Sequence, residues 1–389
     1  MISVNAALDQ LFALCAPLGT ETVTLRHAAG RVMAAPVTAR RDQPPFAASA
    51  MDGYAVATDA VAVGEAFDVI GEAAAGHGWD GTLGAGQAVR IFTGAPLPQG
   101  AASVIIQENV ARDGDTITVT APPSGTNMRP SGGDFKTGDS FAPHRRLTPQ
   151  DLTLLAAMNV AEVEVYRRPQ VALIATGDEL VMPGETPKAA QIIASNAFGL
   201  AAMVEAAGGV ARMLPIAPDN EAGLRAVFDL AEGADLVVTI GGASVGDHDI
   251  VGQVAEAMGL ERAFYKIAMR PGKPLMAGRL NGAVMLGLPG NPVSSLVTGH
   301  LFLLPALAAM QGLPAAPAPR AKAILGQDID ANGPREHYMR ARVADGVITP
   351  FERQDSSLMS ILSEANALLV RPVSDGPRRA GETVDYVPL

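Results

Sequence analysis

The stretch that most constrains this chain lies between residues 170 and 310. Four short runs there, VALIAT, VARMLPI, DLVVTI and AVMLGL, are nearly all apolar. A strand with one wet face alternates apolar and polar residues, whereas a strand buried on both faces has no need to. Helical stretches such as NAFGLAAMVEAAG and NEAGLRAVFDLAEG lie between the runs. Continuous apolar strands alternating with helices specify a parallel sheet covered on both sides, with right-handed connections. The fold class is α/β plus β: a multidomain chain with a central, doubly wound parallel-sheet domain over 169–312.

The flanks read differently. Leu8, Leu11, Phe12 and Leu14 give the N-terminus a helical apolar face, which RRDQPPF interrupts at Pro44 and Pro45. AFDVIGEAA, QAVRIFTG, ASVIIQE and DTITVTAP are short strands with glycine turns, so 46–135 is a small β domain. LTPQDLTLLAAMNV is a helix with Thr148 as N-cap, Pro149 at its first position and Asp151 in the first turn. Residues 1–45 and 136–168 thus form a discontinuous N-terminal helical linking domain, closed by Arg167-Arg168-Pro169. LPAAPAPR is a proline-rich linker. The strands AKAILGQDI, HYMRARVADGVITP, ALLVRPV and TVDYVPL make 313–389 a C-terminal β domain.

Composition removes several functions. A formal net charge of −11 repels phosphate backbones, and aromatic content of 4% leaves little to stack on bases, so nucleic acid is not a partner. Cys15, the only cysteine, can form neither an internal disulfide nor a cysteine-based zinc site. The N-terminus lacks a basic leader, and LVTGHLFLLPALAAM is short and broken by His300 and Pro305. A cytoplasmic protein with no membrane partner is expected.

Ligands of open α/β sheets bind beyond the carboxyl ends of the strands. Three loops leave strands there: Gly177-Asp178-Glu179-Leu180, GGASVGDHD, and PGNP, in which Asn291 is a helix N-cap followed by Pro292. A helix start with free N–H groups suits an anion, which singles out Pro289, Gly290 and Asn291. Gly241, Gly242 and Ser244 have almost no side chain and let a ligand approach the backbone. Neither a Walker A loop nor a G-x-G-x-x-G dinucleotide fingerprint is present. Asp178, Glu179, Asp247 and Asp249 fall at the same edge; carboxylates beside substrate phosphates form the usual oxygen cage for Mg²⁺, with Glu179 and Asp249 the foremost candidates. In RPGKP, Arg270 and Lys273 sit on a turn stiffened by Pro271 and Pro274. Two cations presented this way, near the PGNP loop, read as an oxyanion or phosphate pocket. Taken singly, each of these features is also ordinary turn or cap chemistry.

As a set, SAMDGYAV, FTGAP, IIQE, RPSGGD, TGDEL, GGASVGDHD, RPGKP and LPGNPVS, spread over residues 49 to 294, resemble the molybdopterin molybdenumtransferase family (MoeA type, similar to the gephyrin E domain). A weaker likeness extends to QDSSLMS. The resemblance implies a central domain of molybdopterin-binding type, four domains and an elongated homodimer. It implies Mg²⁺-dependent hydrolysis of adenylylated molybdopterin, with release of AMP and insertion of molybdenum from molybdate. Carried over motif by motif, it implies catalytic roles for Asp52, Thr93, Asp134, Glu179, Asp219, Asp249 and Lys273. It implies anion or substrate binding at Arg270, and molybdate binding at Arg340 and Ser356. In the homodimer it implies that Asp52 reaches the α/β domain of the partner. A molybdopterin adenylyltransferase is a further candidate partner. Arg270 stands where the family often has lysine and keeps the charge; Ala194 stands where the family often has an acidic or tyrosyl residue before Ser195-Asn196. Two alternatives stay open: adenylylation of molybdopterin by the α/β domain itself, and a non-catalytic scaffold or cofactor carrier.

Overall fold

Alternate residues of the apolar strands go to opposite sides of one sheet. In Gln170–Ala175, Val171 and Leu173 are buried in one cluster, and Ala172 and Ile174 in another. Leu236 and Val238 divide from Val237 in the same way. Each side is covered by helices: Asn196–Ala206 and Pro292–Thr298 on the first, Glu221–Asp229 and Ile250–Ala257 on the second. Full burial of one such aliphatic side chain is worth roughly 1.5–3 kcal/mol, so both sides of the strands contribute to stability. The computed structural model describes residues 1–242 and 250–389.

Among the described residues the sheet has six strands, in the order Val210–Met213, Gln170–Ala175, Leu236–Ile240, Ala283–Leu288, Met276–Leu280, Glu261–Tyr265. The first four are parallel, as the apolar runs require. Met276–Leu280 runs antiparallel to both its neighbours, Ala283–Leu288 and Glu261–Tyr265, so the sheet is mixed at that edge. The reason is local. Asn281 and Gly282 join two of the strands with positive φ at both residues (48° and 86°). Two residues in that conformation make a tight hairpin, and a parallel crossover needs a dozen or more.

The chain forms two compact units, Met1–Glu21 with Tyr166–Leu389, and Thr22–Val165. The first 21 residues pack with the α/β and C-terminal regions rather than with Thr22–Val165. Ser3 caps the helix Val4–Leu14 by accepting from the Ala6 N–H, and Val4, Ala7, Leu8 and Leu11 are buried in the core of the α/β sheet. Burial pushes the Cys15 thiol at its end up to about 12. The stretch Pro292–Met310 is long and apolar enough to cross a membrane, but 78% of its most apolar window is buried in the protein. In the same unit, strands of the C-terminal region close on themselves: Glu336–Ala344 pairs with both Val347–Pro350 and Ala367–Arg371. The two-residue strand Met269–Arg270 pairs in parallel with Glu336 and His337, tying the RPGKP turn to this barrel.

The second unit is built on a six-stranded sheet in which Gly53–Val56 lies between Ser103–Ile106 and Gln87–Ile91. Its helix Pro149–Ala157 starts where the sequence places it. The Thr148 hydroxyl accepts from the Asp151 N–H, and the Asp151 carboxylate accepts from the Thr148 N–H in a reciprocal box. Arg145 donates from both guanidinium ends to the same carboxylate, which holds Asp151 well below the usual carboxylate range.

Thr148→Ala is expected to cost about 1 kcal/mol in urea unfolding. Asp151 has its folded pKa depressed, so its contribution is present above the ordinary carboxylate pKa and is lost as pH falls below it. Asp151→Asn should therefore unfold at lower urea than wild type at pH 7, and the gap should close as the pH is brought below about 4. A gap independent of pH would refute the ionic account.

Candidate active site

The carboxyl ends of Gln170–Ala175, Leu236–Ile240 and Ala283–Leu288 open into a cleft of about 640 Å³. Glu179, Asp219, Gly241, Gly242, Pro289, Gly290 and Asn291 line it, together with Pro274 and Asn196. Residues from three loops expected to converge thus do so. Ser244, Asp247 and Asp249 lie outside the described residues.

Backbone packing sets the floor. A side chain on Gly241 would place Cβ 3.0 Å from the Thr176 carbonyl oxygen, and one on Gly242 would place it 2.2 Å from Val251 and 2.8 Å from the Thr176 hydroxyl. Both residues also have positive φ, 92° and 64°. Asn196 Nδ2 donates to the Gly290 carbonyl at 2.8 Å, joining the helix Asn196–Ala206 to the PGNP loop. The sequence reading used Ser195-Asn196 only as a landmark, and an amide at a helix start beside a Gly-rich loop was the available signal.

Two carboxylates stand on this edge with their oxygens available. Glu179 is exposed, and its carboxylate lies against the Gly177 backbone. Asp219 is exposed too, and its N–H donates to Asp178 Oδ1 at 3.0 Å, which fixes the Asp219 loop and engages the neighbouring Asp178 carboxylate. Mg²⁺ commonly takes one or two carboxylates and completes its shell with phosphate oxygens and water. Glu179 and Asp219 supply that donor type, while no group of three or more His, Cys, Asp or Glu side chains is placed to hold a metal among the described residues.

The helix start is less open than PGNP suggests. Pro292 has no N–H, and the Val293 N–H donates to the Ser356 carbonyl at 3.1 Å. That bond ties the loop carrying Ser356 to the start of the helix Pro292–Thr298. Arg340 secures the same loop from inside. It is only 1% exposed, and it donates to the carbonyls of Leu358 and Arg353 at 3.2 and 3.3 Å.

The two cations of RPGKP do not line a common cavity. Lys273 is half-buried next to Pro274 on the cleft wall, and its carbonyl accepts from Ile267 and Leu275. Arg270 instead lines another cavity, of about 730 Å³, with His337 and Arg371. Arg270 pairs with His337 in the barrel strand and does not line the cleft, and Lys273 lines neither cavity.

In the Thr22–Val165 unit, Asp52 and Thr93 meet although 41 residues apart. Asp52 Oδ1 accepts from the Thr93 N–H at 2.7 Å and from its hydroxyl at 2.9 Å. These bonds, and then the charge of Arg90, hold Asp52 below the usual carboxylate range. Asp134 sits in a separate loop, where its N–H donates to the Gln43 carbonyl. Asp42, which the sequence reading passed over, anchors that loop by accepting from the Thr137 N–H and hydroxyl at 2.7 and 2.8 Å.

Three family models cover the chain in succession: the MoeA N-terminal region (domain I and II) over residues 2–159, a probable molybdopterin binding domain over 172–309, and the MoeA C-terminal region (domain IV) over 322–389. A Haemophilus influenzae protein named molybdopterin molybdenumtransferase is 36% identical over 383 residues, covering 96% of this chain and 95% of its own. One of the same name from Nostoc is 35% identical, covering 94% of this chain and 88% of its own. The crystal structure of the molybdopterin biosynthesis MoeA protein from Pyrococcus horikoshii OT3 superposes with a TM-score of 0.85 at 29% identity, covering 100% of both chains.

Gly242→Ala tests the packing of the cleft floor. The added methyl meets Val251 and Thr176 in a left-handed backbone, so a loss of about 1–3 kcal/mol is expected in thermal or urea unfolding. Wild-type stability in this variant would show that the floor gives way easily.

Proposed function

The chain belongs to the molybdopterin molybdenumtransferase family, and we propose that it inserts molybdenum from molybdate into adenylylated molybdopterin, with hydrolysis of the adenylate link and release of AMP. It is a transferase of molybdenum cofactor biosynthesis. The observation that carries the finer reading is the cleft at the strand ends, lined by Glu179 and Asp219 together with the PGNP loop and the glycines Gly241 and Gly242.

The roles follow from that arrangement. Gly241 and Gly242 let phosphate oxygens approach the backbone. Pro289, Gly290 and Asn291 line the same cleft, and Asn196 keeps Gly290 in place. Lys273, beside the wall residue Pro274, is the cation to balance the charge of the phosphates. Glu179 and Asp219 would hold Mg²⁺, with Asp249 a third candidate. When bound, the ion supplies neutralisation of phosphate charge and polarisation of the bond that breaks. Hydrolysis of the link consumes one water and leaves AMP and molybdopterin, which keeps its own terminal phosphate. Ser356 and Arg340, which secures the same loop, are the candidates for the molybdate oxyanion, and Arg270 is a candidate for an anion outside the cleft. Asp52, Thr93 and Asp134 are assigned to the same reaction on their motifs. Cytoplasmic localisation and homodimerisation are part of the proposal, and the adenylyltransferase that makes the substrate is its candidate partner.

Supplying purified protein with adenylylated molybdopterin and molybdate should release AMP and load molybdenum, and chelation of divalent metal should stop both. Lys273→Ala loses a charge-assisted contact of roughly 1.5–3 kcal/mol, so turnover should fall about tenfold or more. Glu179→Gln should slow AMP release with the fold intact. AMP release unchanged without divalent metal would remove Mg²⁺ from the reaction, and activity on molybdopterin plus ATP instead would favour the adenylyltransferase reading.

Homodimerisation with a shared site makes a separate prediction. If Asp52 of one chain serves the cleft of its partner, mixing inactive Asp52→Asn and Lys273→Ala proteins should restore activity, because one site in each mixed dimer carries neither change. Mixed dimers verified by differential tags but devoid of activity would rule out the shared site.

A further inference from the structure

Arg90 belongs to none of the residues assigned above, yet it touches each segment that frames Asp52 and Thr93. It lies on Gln87–Ile91, directly opposite Tyr54 on Gly53–Val56. Its guanidinium carbon is 5.0 Å from the centroid of the Tyr54 ring and 4.7 Å from that of Phe92. Tyr54 is buried, so one of these two aromatic surfaces is fixed in the core. In the guanidinium plane, Nη1 donates to the Gly53 carbonyl at 3.1 Å and Nη2 to Gln107 Oε1 at 2.6 Å. The Gln107 N–H in turn donates to the Asp52 carbonyl at 3.0 Å.

The connectivity is specific. Gly53 follows Asp52 in the chain, Phe92 precedes Thr93, and Gln107 binds the main chain of Asp52 itself. The hydrogen-bond acceptors of Arg90 are neutral oxygens, so its charge is not consumed in a close ion pair with them. A lysine could not reproduce this geometry, because only a planar fork can contact two rings and donate sideways to two acceptors.

We propose that Arg90 is a positioning residue for the reaction, bracing Gly53, Phe92 and Gln107 so that the Asp52 carboxylate and Thr93 stay in hydrogen-bonded register. This rests on the assignment of Asp52 and Thr93 to the active site. Two strand ends that carry one functional pair need a common support, and Arg90 is a single side chain in contact with both.

The test uses the full chain, adenylylated molybdopterin and molybdate, with Arg90→Gln, Arg90→Lys, Asp52→Asn and the Arg90→Gln/Asp52→Asn double variant. Turnover of Arg90→Gln should fall roughly tenfold to a hundredfold, as for a misplaced catalytic group, and Arg90→Lys should not restore it. The double variant should be no slower than Asp52→Asn alone, since both changes act through one carboxylate. In protein labelled at the aspartate carboxyl carbons, NMR titration of Asp52 should move to higher pH in Arg90→Gln, as the cation and the Thr93 geometry are lost together. A merely structural role would lower the urea midpoint without moving that titration.

Wild-type turnover in Arg90→Gln beside an inactive Asp52→Asn would overturn the inference alone. An unmoved Asp52 titration, or a double variant far slower than Asp52→Asn, would do the same. Wild-type turnover in Asp52→Asn would instead overturn the underlying assignment of Asp52. Should Arg90→Gln not fold, Gln107→Ala removes one arm of the support at an exposed residue. It should shift the Asp52 titration in the same direction, and an unmoved titration there would overturn the inference.

Discussion

Burial of the central sheet on both sides decides where chemistry can occur. Val171 and Leu173 lie under one set of helices, and Ala172 and Ile174 under the other, so neither face of these strands can meet a ligand. A charge placed in those strands would be desolvated without a partner. Carboxylates are therefore displaced to the loops beyond the strand ends, where Glu179 and Asp219 remain exposed. The same constraint brings those loops close together. Thr176, Gly241 and Gly290 leave neighbouring strands, and the tight packing at Gly241 and Gly242 is what allows a concave floor in place of side chains.

The parts of this arrangement that follow from period and polarity were legible in the sequence. Continuous apolar runs identify the parallel strands, and Thr148, Pro149 and Asp151 mark a helix start that the structure reproduces as a reciprocal box. What was missed depends on pairings between distant segments. The antiparallel edge had a local signal in Asn281-Gly282, but two strong apolar strands obscured it. The N-terminal helix has the expected apolar face, yet amphipathicity does not say against which core the face packs. Arg270 lies in a stiff turn, and only the pairing of Met269–Arg270 with the barrel strand brings it to a cavity shared with His337 and Arg371.

In the N-terminal unit one hydrogen-bonding device recurs. Asp42 clasps Thr137, and Asp52 clasps Thr93, each through the N–H and hydroxyl of the threonine. In each case both donors converge on Oδ1, and no hydrogen bond to Oδ2 is formed among the described residues. Such a carboxylate is oriented and kept ionised while half of its accepting capacity is left open. Asp42 lies beside the loop that carries Asp134, so its clasp orders a neighbour. Asp52 belongs to SAMDGYAV, and the same bonds orient its own carboxylate.

Arg340 shows how a residue implied to bind molybdate can first serve the fold. A guanidinium with almost no solvent contact keeps its charge only if its donors are satisfied. Two of them meet the carbonyls of Arg353 and Leu358, which bracket Ser356. Ser356 in turn holds the Val293 N–H through its own carbonyl, so the barrel loop and the start of the helix Pro292–Thr298 form one continuous hydrogen-bonded structure. A guanidinium has more donors than two carbonyls occupy, so the structural bonds and an oxyanion are not alternatives. Fixing the loop to the helix start leaves the Ser356 backbone little freedom to lose, which lowers the ordering cost of any contact the loop makes.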